Sequence, residues 1–477
     1  MANSIFVNNL YSFQTTLLSM MQSPLHNTLI IGLLTLIFTT IYSAPIEAKS
    51  TTFEARDIHN GLLDGGNLTF DPSDFEELDC SNQVYRESIK TPLVHRKGNP
   101  LGAPYFGLYD GTGISVHFDD LQADFKDLYF TIVHCDSYWG ISDLDQSDYM
   151  TGFYENLISE YDQAFNTIID YTHYSFDFPN DMCGVKISGN YLLIVYEDND
   201  IEDIVFTHRF VVYEELVAID SRVKEPTIVG DRRYNQEVDV TILHPDFPIH
   251  NPYSDLSLHI LQNNRWDNMI TTLEPRFVKD REIVFDYDEE NNFNGGHEYR
   301  DFDLKDFDYT SVQLDSMVRY YDGWHAFLRP YEKRTFQRYS SHRDINGRLL
   351  IVNDDGPENH LDADYASVHF RLPFEHPLMG GDVYIFGQLS QYGFPESHKM
   401  TYSPSKQAYL ATLFLKQGFY NYIYAFKSKN ETEGDVTKVE GSHFETENEY
   451  TIFVYNYDYG LGCDRIIGAK FTNSFNR

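Results

Sequence analysis

ISGNYLLIVYEDNDIEDIVFTHRFVVYE, residues 187–214, reads as two strands folded back on each other about an acidic turn. Tyr191, Leu193 and Val195 fall on one face, the period of two that a pleated strand imposes. EDNDIED (197–203) supplies turn-forming residues, and Ile204–Tyr213 resumes the apolar run. Ser188-Gly189-Asn190 marks the turn before the first strand. The same grammar extends in both directions. Upstream lie Val84–Ile89, Ile114–Phe118 and Leu128–Cys135; downstream lie Glu237–Leu243, Leu256–Leu261, Ile283–Tyr287 and Arg348–Val352. Tyr365–Leu372, Val383–Phe386, Ala408–Phe414, Tyr420–Phe426 and Tyr450–Tyr455 complete the series. Short runs with such punctuation predict an all-β chain of tandem immunoglobulin-like β-sandwich domains.

Turn chemistry supports that reading. Asn346-Gly347 can supply two positive-φ residues for a tight hairpin, and Asn294-Gly295-Gly296 and Gly380-Gly381 mark further reversals. One stretch differs: between Ser147 and Tyr174, Met150, Phe153, Tyr154, Leu157, Ile158, Tyr161, Phe165 and Ile168 recur at steps that suit an amphipathic helix. Boundaries follow FVVYEELVAID and fall within NDDGPENHLDADY (353–365). The expected organisation is a signal peptide (1–48), an acidic arm (49–79), and sandwiches at 80–222, 223–355 and 360–477.

The chain has 477 residues, too many for one ordinary sandwich, with 36 Tyr and 35 Phe suited to half-buried sheet faces and contact anchors. Its formal net charge of -37 excludes counterion-releasing nucleic-acid binding and disfavours anionic lipid surfaces. The acid excess keeps an aromatic-rich chain in solution or steers a basic partner. LIIGLLTLIFTTIYSA (29–44) has the length of a signal-peptide core and is short for a membrane span, so export without a direct membrane span is expected, with cleavage near Ala48. Cys80, Cys135, Cys183 and Cys463 include no CxxC pair; Cys135 with Cys183 is a disulfide to test, against buried free thiols.

Catalytic signatures are sparse: GxxxxGK[ST], GxSxG, HExxH and GxGxxG are missing. His134-Cys135-Asp136 suggests a nucleophile beside a base, but neighbours on one strand point to opposite faces. A hydrolase centred on these residues is the least favoured reading. Neither EDNDIED nor DYDEEN (286–291) fits a calcium-binding helix–loop–helix; solvated hairpin tips are the expectation, with a looser calcium site in a sandwich loop as the alternative. The 18 histidines make no ligand pair on one element, so no metal, cofactor or catalytic residue is assigned.

Several runs together resemble the plug protein of the type IX secretion system of Bacteroidota. They are YFTIVHCDSYW (129–139), ISGNYLLIVYEDND (187–200), FVVYE (210–214), ILQNNRWDN (260–268), NNFNGGHEYRDFD (291–303), DINGRLLI (344–351) and GSHFETENEYTIFVYNYDYG (441–460). The resemblance implies a non-catalytic periplasmic protein that closes the periplasmic mouth of a large outer-membrane translocon barrel, its protein partner. Residues 381–426 also resemble the glycogen-binding modules of starch-acting enzymes. That second likeness implies sugar-stacking aromatics near Tyr392 and Tyr409, with Phe394 beside them as a candidate ligand or partner surface. Tyr392 stands where those modules usually carry Trp, so inherited fold with lost ligand is the expectation, and a periplasmic carbohydrate-binding protein is the alternative.

Overall fold

The computed structural model describes residues 78–475 save 355, 357 and 358. The expected signal peptide and nearly all of the acidic arm lie outside the described residues. The described chain is all-β, built of paired sheets.

The first sandwich grows from the opening quotation. Gly189–Glu197 and Ile204–Tyr213 pair antiparallel, with Asp198 and Asn199 at φ 54° and 58° making the turn. Leu128–Cys135 pairs on the other side of Gly189–Glu197. The opposing sheet is Ile89–Arg96, Ile114–Asp120, Thr172–Phe178 and Glu160–Gln163. Tyr191, Leu193 and Val195 meet Val116, Phe118 and Phe178 inside. The alternate residues Leu192, Ile194 and Tyr196 are equally buried, because they pack outward against the next sandwich. A strand apolar at every position is what burial on both faces demands.

The second sandwich faces Ala218–Lys224, Asn235–Leu243 and Glu282–Phe285 with a three-stranded sheet of Leu256–Gln262, Glu449–Asp458 and Cys463–Asn473. Val238, Val240 and Ile242 interlock with Leu258, Ile260, Ile452 and Val454. The linear partition into 223–355 and 360–477 puts these strands in different units, and the sheet joins them. Its C-terminal strands return to residues 256–262, and the third sandwich is an insertion between Asn292–Asn294 and Glu449–Asp458. The polar linker at 353–365 is therefore a connection inside the inserted unit, between Leu349–Ile351 and Tyr365–Pro373. That unit packs Arg300–Asp303, Gly418–Ser428 and Gly381–Phe386 over a sheet of Leu314–Tyr320, Gly323–Leu328, Tyr365–Pro373, Ala408–Lys416 and Thr401–Ser403.

Three local expectations change. The helix over 147–174 reduces to Gln146–Tyr149, followed by short strands Met150–Gly152, Asn156–Leu157 and Glu160–Gln163. Gly152 has φ 80° and abuts the Met182 carbonyl, where a Cβ would lie 2.0 Å from the oxygen. The helical spacing of Phe153, Tyr161, Phe165 and Ile168 ends on exposed positions, so it marks no buried stripe. The run 84–89 splits into Gln83–Val84 and Ile89–Arg96, the latter bulged around Thr91 and Pro92. Asn346 and Gly347 do adopt positive φ, but they turn the chain into Leu349–Ile351 without a preceding partner strand.

Candidate functional site

The sugar-platform residues do not form one surface. Tyr409 is 5% exposed, with Phe374 and Tyr402 edge-on to it, and its hydroxyl accepts from the Leu378 amide at 2.7 Å. Tyr392 and Phe394 belong to a separate apolar cluster with Phe386 and Ile423. The Tyr392 hydroxyl is enclosed and has no partner among the described residues. No shared ring face is open between Tyr409 and the other two.

The His134-Cys135-Asp136 triplet divides as strand geometry requires. His134 lies in the first sandwich against Tyr191, its Nδ1 2.9 Å from Ser142 Oγ, and burial holds it down at about 4. Gly189 is needed there, since a Cβ would meet His134 Nε2 at 2.3 Å. Cys135 points to the other face, beside Cys80, whose thiol contact together with burial pushes the Cys135 thiol well up. The Asp136 carboxylate accepts from the amides of Tyr138 and Gly140 at 2.8 and 2.7 Å, closing a loop. All four cysteines are free thiols, and Cys183 lies in a different cluster from Cys135.

The acidic motifs are similarly engaged. Glu197 and Asp203 pair with Arg86. Asp286 joins Glu237 and Asp239 around the Lys224 ammonium, which sits 3.0 Å from Glu237 and 2.5 Å from Asp239.

Two clefts lie where the inserted unit meets the second sandwich. One, of about 840 Å³, is lined by Asn263, Arg265, Asp267, Gly434 and Asn448 among others. Arg265 donates to Asp267 and to the Gly434 carbonyl at 2.7 and 2.9 Å, and Asn263 donates to Asn448 at 2.7 Å. The other, of about 710 Å³, gathers Glu298, Asp344, Glu447 and Glu449 with Arg348. Burial pushes the Glu298 carboxyl up to about 7, against the hydrogen bond it accepts from Tyr339. Arg348 pairs with Glu449, and Asn346 donates to Glu447 at 2.9 Å. These polar groups are spent on one another and bring no nucleophile to a base.

The built features are the joints. Between the first and second sandwiches, Val133, Leu192, Ile194 and Val211 meet Leu261, Phe453, Tyr455 and Ile466. Trp139 and Trp266 stand edge-to-face at 4.9 Å, with Arg209 4.4 Å over Trp139. The Tyr455 hydroxyl donates to Asn190 at 2.9 Å. Residues from five of the quoted runs thus meet in one joint.

The joint between the first sandwich and the inserted unit is ionic. Asp119, 1% exposed, receives Lys416 Nζ, the Tyr365 hydroxyl and His173 Nδ1, each at 2.6 Å. Burial works to raise Asp119, but Lys416 and His173 overcome it and hold the carboxyl at about 2. Asp364 accepts from the amides of Ile168 and Ile169 at 2.7 and 3.1 Å across the same joint. Sequence reasoning missed this constellation because Tyr365 and Lys416 reach Asp119 from 246 and 297 positions away along the chain.

Among the described residues no helix is long and apolar enough to cross a membrane. No curated protein matches the chain. A hypothetical protein from Parabacteroides merdae ATCC 43184, known by crystal structure, is 31% identical with a TM-score of 0.80, over 82% of this chain and 99% of that one. Residues 89–214 match the family described as type 9 secretion system plug protein 1st domain, and they start at the strand Ile89–Arg96 and end just past Ile204–Tyr213. From the first sandwich outward, this chain belongs to the type 9 secretion system plug protein family.

Proposed function

We propose that the chain is a periplasmic, non-catalytic component of type 9 secretion that occludes the periplasmic mouth of the outer-membrane translocon barrel. The observation that carries this reading is the pair of joints that lock three sandwiches together around the family-matched first domain. A stopper works by shape. It needs a wide body that does not fold under load, and buried apolar and ionic joints suppress the interdomain motion expected of small polar interfaces. Catalysis has no part in it, and in the two clefts Arg265 is spent on Asp267 and Glu447 on Asn346. Exposed aromatics such as Tyr309, Tyr321 and Phe336 offer contact anchors on the outside.

The test is recovery of the partner. Tagged protein purified from detergent-solubilised outer membranes is expected to bring down a very large barrel in near-equal amount. Recovery of the tagged chain with no barrel would overturn the reading. The carbohydrate alternative is not carried forward, because Tyr409 presents no open ring face.

A further inference from the structure

At the Asp119 joint, His173 is flanked by two further histidines that the plug reading does not use. His117 is on Ile114–Asp120, His173 on Thr172–Phe178, and His360 on the connection leading to Tyr365–Pro373. One ring nitrogen from each lies within 4.8 Å of the other two. His117 Nδ1 and His173 Nε2 are 3.3 Å apart. Two nitrogens held by one tetrahedral zinc ion at about 2.0–2.1 Å are separated by about 3.4 Å, so this pair already spans one edge of such a site.

The tautomer is set in the sense a metal requires. His173 Nδ1 lies 2.6 Å from Asp119, a carboxylate that only accepts, so Nδ1 carries the proton and the Nε2 lone pair faces His117. A histidine ligand whose other nitrogen donates to a carboxylate is the usual outer-shell support of zinc. Asp119 is itself fixed by Lys416 and Tyr365. His117 and His360 are partly exposed, which gives an ion a way in.

The rings are stacked, with centroids 4.4 to 5.5 Å apart and planes within 19°. Ligand lone pairs lie in the ring plane, so His360 has to turn about its Cβ–Cγ bond, a soft torsion, to complete the set. Binding moves the His117 proton from Nδ1 to Nε2 with no net proton lost. Lys416 places a positive charge nearby, so affinity falls short of an isolated three-histidine site. The contrast with Glu237, Asp239 and Asp286 is useful, because there the Lys224 ammonium already occupies the centre.

We infer that His117, His173 and His360 form a binding site for a divalent transition metal such as zinc, with the remaining coordination position open to water. The ion ties the 353–365 connection of the inserted unit to the first sandwich and stiffens the joint. Imidazole sets of this kind suit zinc, copper or nickel and not calcium or magnesium.

The test uses the purified protein stripped with a chelator and then given zinc chloride. Wild type is expected to retain one zinc per chain after gel filtration, by elemental analysis, with a higher thermal midpoint. His360→Ala and His117→Gln are expected to lose at least nine-tenths of that zinc and the shift. Cobalt(II)-loaded wild type provides a readout that needs no variant: intense visible d–d bands of a tetrahedral nitrogen site are expected. Wild type without stoichiometric zinc, variants that bind as wild type does, or only the weak bands of octahedral cobalt would each overturn the site. The outcome is independent of barrel recovery.

Discussion

The two joints of the first sandwich hold by different physics. Toward the second sandwich, Leu192, Ile194, Phe453 and Tyr455 make a dry contact continuous with ordinary core. Toward the inserted unit, Asp119, Lys416, Tyr365 and His173 make a small set of directed bonds. An apolar contact spreads its energy over many weak neighbours and tolerates reshaping. A buried ion pair concentrates its cost, since removing either partner strands a charge. One joint should degrade gradually under substitution and the other should fail at single positions.

The largest effect is expected at the ionic joint. Lys416→Met leaves the Asp119 carboxylate buried without its ammonium, held only by Tyr365 and His173, at a cost of about 3–5 kcal/mol read from denaturant unfolding. Asp119→Asn combined with Lys416→Met should recover part of that loss, because no charge is stranded; a double variant worse than the single would contradict the ionic account. Next come neighbouring positions on one strand. Leu192→Ala and Leu193→Ala should each cost about 2–4 kcal/mol. Hydrogen exchange separates them: Leu192→Ala should speed exchange in Glu449–Asp458 across the joint, and Leu193→Ala in Ile114–Asp120 within the first sandwich.

A smaller effect is the pH response of the acidic cleft. Glu298 has its folded value raised from 4.5 to about 7, so its contribution is fully present below 4.5 and is lost as pH rises toward 7. Glu298→Gln should flatten the thermal midpoint over that window; an unchanged slope would show that Glu298 titrates normally. The smallest effect is expected at the hairpin tip, where Arg86→Ala should cost about 0–1 kcal/mol despite two ion pairs, because the side chains stay in contact with water.

How much of this was legible depends on the range of the signal. Alternation at Tyr191, Leu193 and Val195 is local, and it revealed the first sandwich. The full apolar run YLLIVY also carried the second face, since Leu192, Ile194 and Tyr196 have no reason to be apolar on a solvated sheet. The return of Glu449–Asp458 to Leu256–Gln262 has no local signal, and a linear boundary was drawn through it. Pro92 hid a bulged strand, and aromatic spacing over 147–174 imitated a helix that Gly152 cannot continue. The ionic joint and the histidine set were invisible for the same reason as the sheet return. Their residues are ordinary in the sequence and become a site only when two units pack.

Pore occlusion has one direct readout, the permeability of the outer membrane to antibiotics too large for ordinary porins. Deleting the gene should raise uptake and sensitivity, and restoring the wild-type chain should reverse both. Unchanged permeability in the deletion strain, with the barrel present and secretion running, would contradict the account.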